Sequence, residues 1–125
     1  MTLDLVFYGL ALLLAAWLIY SFLLRGKLSD AKAARLLEEG ALVIDVRNPD
    51  EFSEVHVEGA VNIPLPNLMF SIKSMELEKQ AVLLCHCKSG GRSAIAVTLF
   101  RNAGYKKAYN LGSLKRALAM QPSDQ

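Results

Sequence analysis

Residues Leu5 to Leu24, LVFYGLALLLAAWLIYSFLL, run for twenty positions without a charged side chain. As a helix this stretch covers about 30 Å, the thickness of a bilayer's hydrocarbon core. A helix apolar on every side is buried either in lipid or deep inside a large domain, and a chain of 125 residues is too short for the second. A cleaved signal peptide would need a basic start, a shorter apolar centre and small residues at a cleavage site. Here the chain starts MTLD and the run ends in SFLLRGK. The stretch therefore reads as a transmembrane anchor. Arg25, Lys27, Lys32 and Arg35 come after it, and no Lys or Arg precedes it. By the positive-inside bias the amino terminus is expected outside and the rest of the chain in the cytoplasm, as a single-pass protein of a bacterial inner membrane.

The remainder of the chain is long enough for one small domain, giving an expected division into residues 1–27 (anchor and basic flank) and 28–125 (domain). LSDAKAARLLEEG reads as a helix capped by Ser29, with Asp30 in its first turn and Gly40 at its end. ALVIDV fits a buried parallel strand. NPDEFSEVH opens with a turn and helix-start signal, and AVNIPLP gives a brief strand stopped by Pro64 and Pro66. NLMFSIKSMELEK has Leu68, Ile72 and Met75 at helical spacing. AVLLCHC is a second buried strand, SAIAVTLFRNAG a helix ended by Gly104, KKAYNL a last strand and SLKRALAM a final helix. The tail QPSDQ is expected to be loose. Strands alternating with helices predict an α/β sandwich, a mostly parallel sheet flanked by helices.

The net charge of +2, with no basic block, gives no sign of nucleic-acid binding. Cys85 and Cys87 do not form a secreted disulfide framework. On a strand His86 points away from both, and His56 is the only other histidine, so neither a metal nor any other cofactor is expected.

The stretch LLCHCKSGGRS carries the chemistry. The order strand, Cys87, loop, helix sets a thiol at the carboxyl end of a buried strand, where open α/β sheets bind ligands. A turn with Gly90 and Gly91 can aim backbone N–H groups inward as an anion nest, and the next helix adds the positive end of its dipole. Lys88 and Arg92 add full charges. Such surroundings favour thiolate over thiol and need no neighbouring base. Cys85, two positions earlier on the strand, reads as a core thiol.

With VIDVRNPDEFSEVHVEGAVNIPL added, residues 28 to about 114 resemble a single-domain rhodanese. The matching motifs are Asp45 and Arg47, Glu51 and Phe52, then His56, Gly59, Ala60, Asn62, Ile63 and Pro64. The loop Cys-x-x-Gly-x-Arg-Ser is matched by Cys87, Gly90, Arg92 and Ser93. The resemblance implies a rhodanese-type three-layer sandwich and sulfur transfer through a persulfide on Cys87. Arg92 would assist, and Lys88, Ser89, Gly90, Gly91 and Ser93 would form the substrate loop. Asp45 and Arg47 would support it, either by orienting the loop or as a purely structural pair. His56 reads as a packed loop histidine.

The partners implied are a small-molecule or protein sulfur donor, a thiol or cyanide acceptor, and the membrane. The chain departs from the family at Val55, where glycine is common, and at Lys88, where arginine is frequent. It also has NLGSLKRALAM where Gly-Gly and a tryptophan often come after the last strand.

Two other readings compete. A dual-specificity phosphatase or arsenate reductase shares the His-Cys and Arg-Ser frame, but its loop is one residue longer than the four between Cys87 and Arg92. A non-catalytic binding module at the membrane would keep the fold, but inactive relatives usually lack the cysteine. The charge asymmetry yields a test of topology. Protease added to intact cells should leave the domain whole and should digest it once the membrane is broken. Cleavage of the domain in intact cells would reverse the orientation.

Overall fold

The computed structural model describes residues 1–25 and 28–121. The expectations for Lys27 in the basic flank and for residues 122–125 of the tail fall outside them. Helix α1, Thr2–Arg25, contains one span long and apolar enough to cross a membrane, Thr2–Phe22, none of which is buried.

The domain begins with α2 (Asp30–Glu38), whose Lys32 N–H donates to the Ser29 hydroxyl at 3.2 Å as the cap requires. Strand β1 (Leu42–Asp45) leads to α3 (Pro49–Glu54), which opens with a capping box between Asn48 and Glu51. Strand β2 is only Val61–Asn62. A 3-10 turn, Leu65–Asn67, feeds α4 (Leu68–Ser74). Next along the chain are β3 (Leu83–Cys87), α5 (Gly91–Asn102), β4 (Ala108–Ser113) and α6 (Leu114–Ala119).

The four strands lie in the order β2-β1-β3-β4 and every pair is parallel. Helices cover both faces. On one, Leu68 and Ile72 of α4 and Ala96, Val97 and Phe100 of α5 pack on Ile44, Leu83, Cys85 and Cys87. On the other, Ala33 and Leu36 of α2 and Ala117 of α6 pack on Val43, Leu84 and Leu111. This is the three-layer α/β sandwich the alternation of elements implied. The last helix needs no tryptophan, because Ala117 seats closely on the sheet.

Three local details differ from the sequence expectation. Helix α4 ends at Ser74, and Met75 is extended, so that Met75 and Leu77 turn the same side of the chain onto the core at a period of two. Helix α5 starts at Gly91 rather than Ser93. Strand β4 carries a bulge: Cys85 pairs with Asn110 but His86 pairs with Gly112. Gly112 sits there at φ 98°, in the left-handed region that glycine adopts without steric cost.

Phe100 is fully buried and meets Tyr105 edge-to-face, ring centroids 5.7 Å apart. Phe100→Ala should cost about 3–5 kcal/mol through lost burial and the cavity left. Phe70→Ala, on a ring 78% exposed, should stay within about 0.5 kcal/mol. Urea unfolding of the detergent-solubilised chain measures both, and similar losses would contradict this assignment of the core.

Candidate active site

Cys87 is the last residue of the fully buried strand β3, and the chain turns at once into α5. The turn is tight because Gly90 takes φ 102°, which an L side chain resists. It also presses on β4: a Cβ at Gly90 would stand 3.6 Å from the Gly112 Cα. A side chain there would meet backbone strain, although its Cβ would make only ordinary van der Waals contact with the Gly112 backbone.

The Gly90 N–H donates to Cys87 Sγ at 3.0 Å. Burial pushes the thiol's pKa up. That effect is outweighed by the Ser93 hydroxyl and by backbone N–H groups of Ser93, Gly90 and Ser89, so the net direction is downward. Cys85, two residues back, has only the burial, which raises its pKa to about 12. Both thiols are free. The hydrogen bonds favour the thiolate at Cys87 while burial favours the protonated thiol at Cys85, and the difference comes from position along a single strand.

Ser93 is fully buried and has three acceptors in reach: Asn110 Oδ1 at 2.7 Å, the Gly90 carbonyl at 3.1 Å and Cys87 Sγ at 3.6 Å. One hydroxyl proton serves one acceptor well, so it is available to turn toward the sulfur as negative charge develops there. Asn110 holds this geometry. Its amide nitrogen donates to the Gly90 carbonyl at 3.1 Å, and its oxygen accepts from Gly112 N–H at 2.9 Å. Asn110 is a site residue that the sequence motifs do not mark. Its only signal in the sequence is a polar side chain in the middle of a strand, on the same face as Ala108 and the cysteines.

Arg92 donates both terminal nitrogens to Glu51, at 2.7 and 3.1 Å. The pair lowers Glu51 from an ordinary 4.5 to about 2, with the Arg92 hydrogen bond the largest cause. The folded-state pKa is depressed, so this ion pair is intact above the ordinary carboxylate range and is lost as pH falls from about 4.5 toward 2. Glu51 also accepts from Asn48 N–H, so a single carboxylate caps α3 and orients Arg92. The motif pattern includes Glu51 but does not link it to Arg92, 41 positions away.

Lys88 and Ser89 are exposed at the loop's outer side, with Ser89 bridging to Ser113, while Gly91 opens α5. Asp45 and Arg47 lie beneath the site and form a buried ion pair. They reach the active strand through His86, whose Nε2 is 3.6 Å from Asp45 Oδ2, rather than through hydrogen bonds to the loop. Burial lowers the His86 pKa against the opposing pull of Asp45. His56 is stacked on Phe52 at 4.0 Å and hydrogen-bonded to the Phe52 carbonyl.

A nucleophilic sulfur inside a nest of amides, at the start of a helix, can attack an electrophilic sulfur or phosphorus and then hold the transferred anionic group. A family model described as "Rhodanese-like domain" matches residues 29–116. The chain is similar to the thiosulfate sulfurtransferase PspE of Escherichia coli, at 35% identity over 72 residues, 58% of this chain and 69% of that protein. Among solved structures it is similar to the human single-domain sulfurtransferase TSTD1, at 28% identity and TM-score 0.66, covering 78% of this chain and 98% of that one. It is also similar to a structure titled "rhodanese with anions from E. coli", at 32% identity and TM-score 0.58, covering 62% and 91%.

The hydrogen bonds to Cys87 lead to a titration test. Alkylation by iodoacetamide should show a midpoint below that of an unperturbed thiol. Ser93→Ala removes the strongest lowering influence and should raise the midpoint. An unchanged midpoint would show that the hydroxyl does not act on the sulfur.

Proposed function

This chain belongs to the rhodanese-like family and is a sulfurtransferase of that type; on that footing we propose that Cys87 moves sulfane sulfur from a donor such as thiosulfate to a thiol or cyanide acceptor at a membrane. The observation that carries the proposal is the Gly90 N–H held 3.0 Å from Cys87 Sγ inside a loop of four residues.

The Cys87 thiolate attacks the outer sulfur of thiosulfate. The sulfur–sulfur bond of the donor breaks, its electron pair leaves with sulfite, and Cys87 keeps the sulfur as an anionic persulfide. An acceptor thiolate or cyanide then attacks the terminal sulfur, forming its own persulfide or thiocyanate and returning Cys87 as thiolate. The loop amides and the positive end of α5 stabilise anionic sulfur at each stage. Arg92, oriented by Glu51, and Lys88 at the rim draw in the dianionic donor. Ser89, Gly91 and Ser93 complete the loop, and Asp45 with Arg47 supports the strand ends beneath it.

The ring is sized for one added sulfur atom, whereas a transferring phosphoryl group needs donors for three equatorial oxygens. The anchor reading joins this proposal. Helix α1 holds the protein in a bacterial inner membrane with its amino terminus outside, and residues 28–125 work in the cytoplasm.

The intact mass after incubation with thiosulfate tests the chemistry. Wild type should gain one sulfur atom, which cyanide or dithiothreitol removes. Cys87→Ser should gain none, while Cys85→Ala should keep most turnover and lose about 1 kcal/mol of stability. Aryl phosphates should turn over negligibly. A protein that hydrolyses them and never takes up sulfur would be a phosphatase, and one inert toward both would be a binding module.

A further inference from the structure

The domain is joined to its apolar helix at the edge that carries Cys87. Strands β3 and β4 are parallel and end at Cys87 and Ser113, so α6, which starts at Leu114, begins at that edge. Arg116, in the first turn of α6, donates to the Leu111 carbonyl at 3.1 Å, to Asp30 Oδ1 at 2.8 and 3.2 Å, and to the Leu28 carbonyl. Leu28 is itself buried against the sheet. Arg116 and the catalytic loop are separated by one residue: Gly112 lies against Gly90 on one side and the Arg116 side chain on the other.

Helix α1 ends at Arg25, and the three peptide links from there to Leu28 span at most about 11 Å. The opposite edge of the sheet, where Lys106 precedes β4, is about 20 Å further away, the length of a six-residue strand.

The tethered edge carries exposed charges of both signs. Lys88 and Lys115 are exposed there, flanking the start of α6, and Asp30 is neutralised by Arg116. The exposed acids Asp50 and Glu54 belong to α3, which starts just past the end of β1 at the same edge. Glu51, between them, is paired with Arg92.

From the short link and the Arg116 clasp, we infer that the edge bearing Cys87 faces the headgroup layer of the membrane that α1 enters. The inference rests on the reading of α1 as a membrane anchor. Its consequence is that the donor or acceptor of Cys87 meets it within the headgroup layer. The short tether keeps Lys88 and Lys115 within reach of the headgroups.

The test uses the full chain in vesicles of phosphatidylcholine with about one-third phosphatidylglycerol, an anionic composition. Part of the lipid carries a nitroxide on its headgroup. In a Cys87→Ser background, where Cys85 stays buried and unreactive, a fluorophore is attached at Lys115→Cys or at Lys106→Cys. Quenching at position 115 should exceed that at position 106 by about twofold or more, given the strand length between them. Equal quenching, deeper quenching at 106, or none at either site in protein retained by the vesicles would overturn the docked edge. The last result would point to a soluble partner at that face. Alkaline carbonate extraction separates this from failure of the anchor, because protein released from the vesicles would overturn both readings together.

Discussion

Asp45 and Arg47 hold the active end of the sheet together. The Asp45 carboxylate, with no exposed surface, accepts from the backbone N–H, Nε and Nη2 of Arg47 at 2.7–3.0 Å. Arg47 continues to the Val55 carbonyl beyond α3, and the Asn62 amide of β2 donates to the carbonyls of both residues. His86 of β3 stands 3.6 Å from the same carboxylate. One buried pair thus joins β1, α3, β2 and the strand that ends in Cys87. Removing either partner would strand a charge in the interior, a loss of about 3–5 kcal/mol in comparable cases. The geometry above the pair depends on it, although neither residue hydrogen-bonds the catalytic loop.

On that base the two cysteines acquire opposite character. They share a strand, a face and near-complete burial. Cys85 lies one step inside the sheet, where the amides are committed to strand pairing, and desolvation alone acts on it. Cys87 lies where pairing stops and the chain reverses, so amides of the turn are free to point at sulfur. The same reversal starts α5 directly behind the thiol. A thiolate inside a nearly dry cup is tolerable only because those donors replace water.

The clasp around Arg116 is a second structural centre. It joins Leu28, ahead of α2, to the last helix across 88 positions and does so next to the Cys87 loop. In a free enzyme this placement would be incidental. In a chain whose apolar helix ends three peptide links earlier, it governs which edge of the domain lies nearest the end of that helix.

Much of this is legible in the residues themselves. A twenty-residue uncharged run, the Ser29 cap, the Pro stops after β2 and the Cys87–Arg92 spacing are local properties. Local sterics, hydrogen bonding and hydrophobicity determine such features wherever the segment finds itself. That is why element order, the parallel α/β class and the candidate nucleophile can be read directly. Tertiary structure alone decided the contacts that tune the site: Glu51 on Arg92, Asn110 on Ser93, His86 on Asp45 and Arg116 on Leu28. Each joins positions distant in sequence, and each depends on how a helix crosses the sheet or on the single-residue bulge that sets Gly112 opposite His86. A shift of one residue in that register would turn Asn110 to the other face, and nothing in the linear spacing of KKAYNL specifies where the bulge falls.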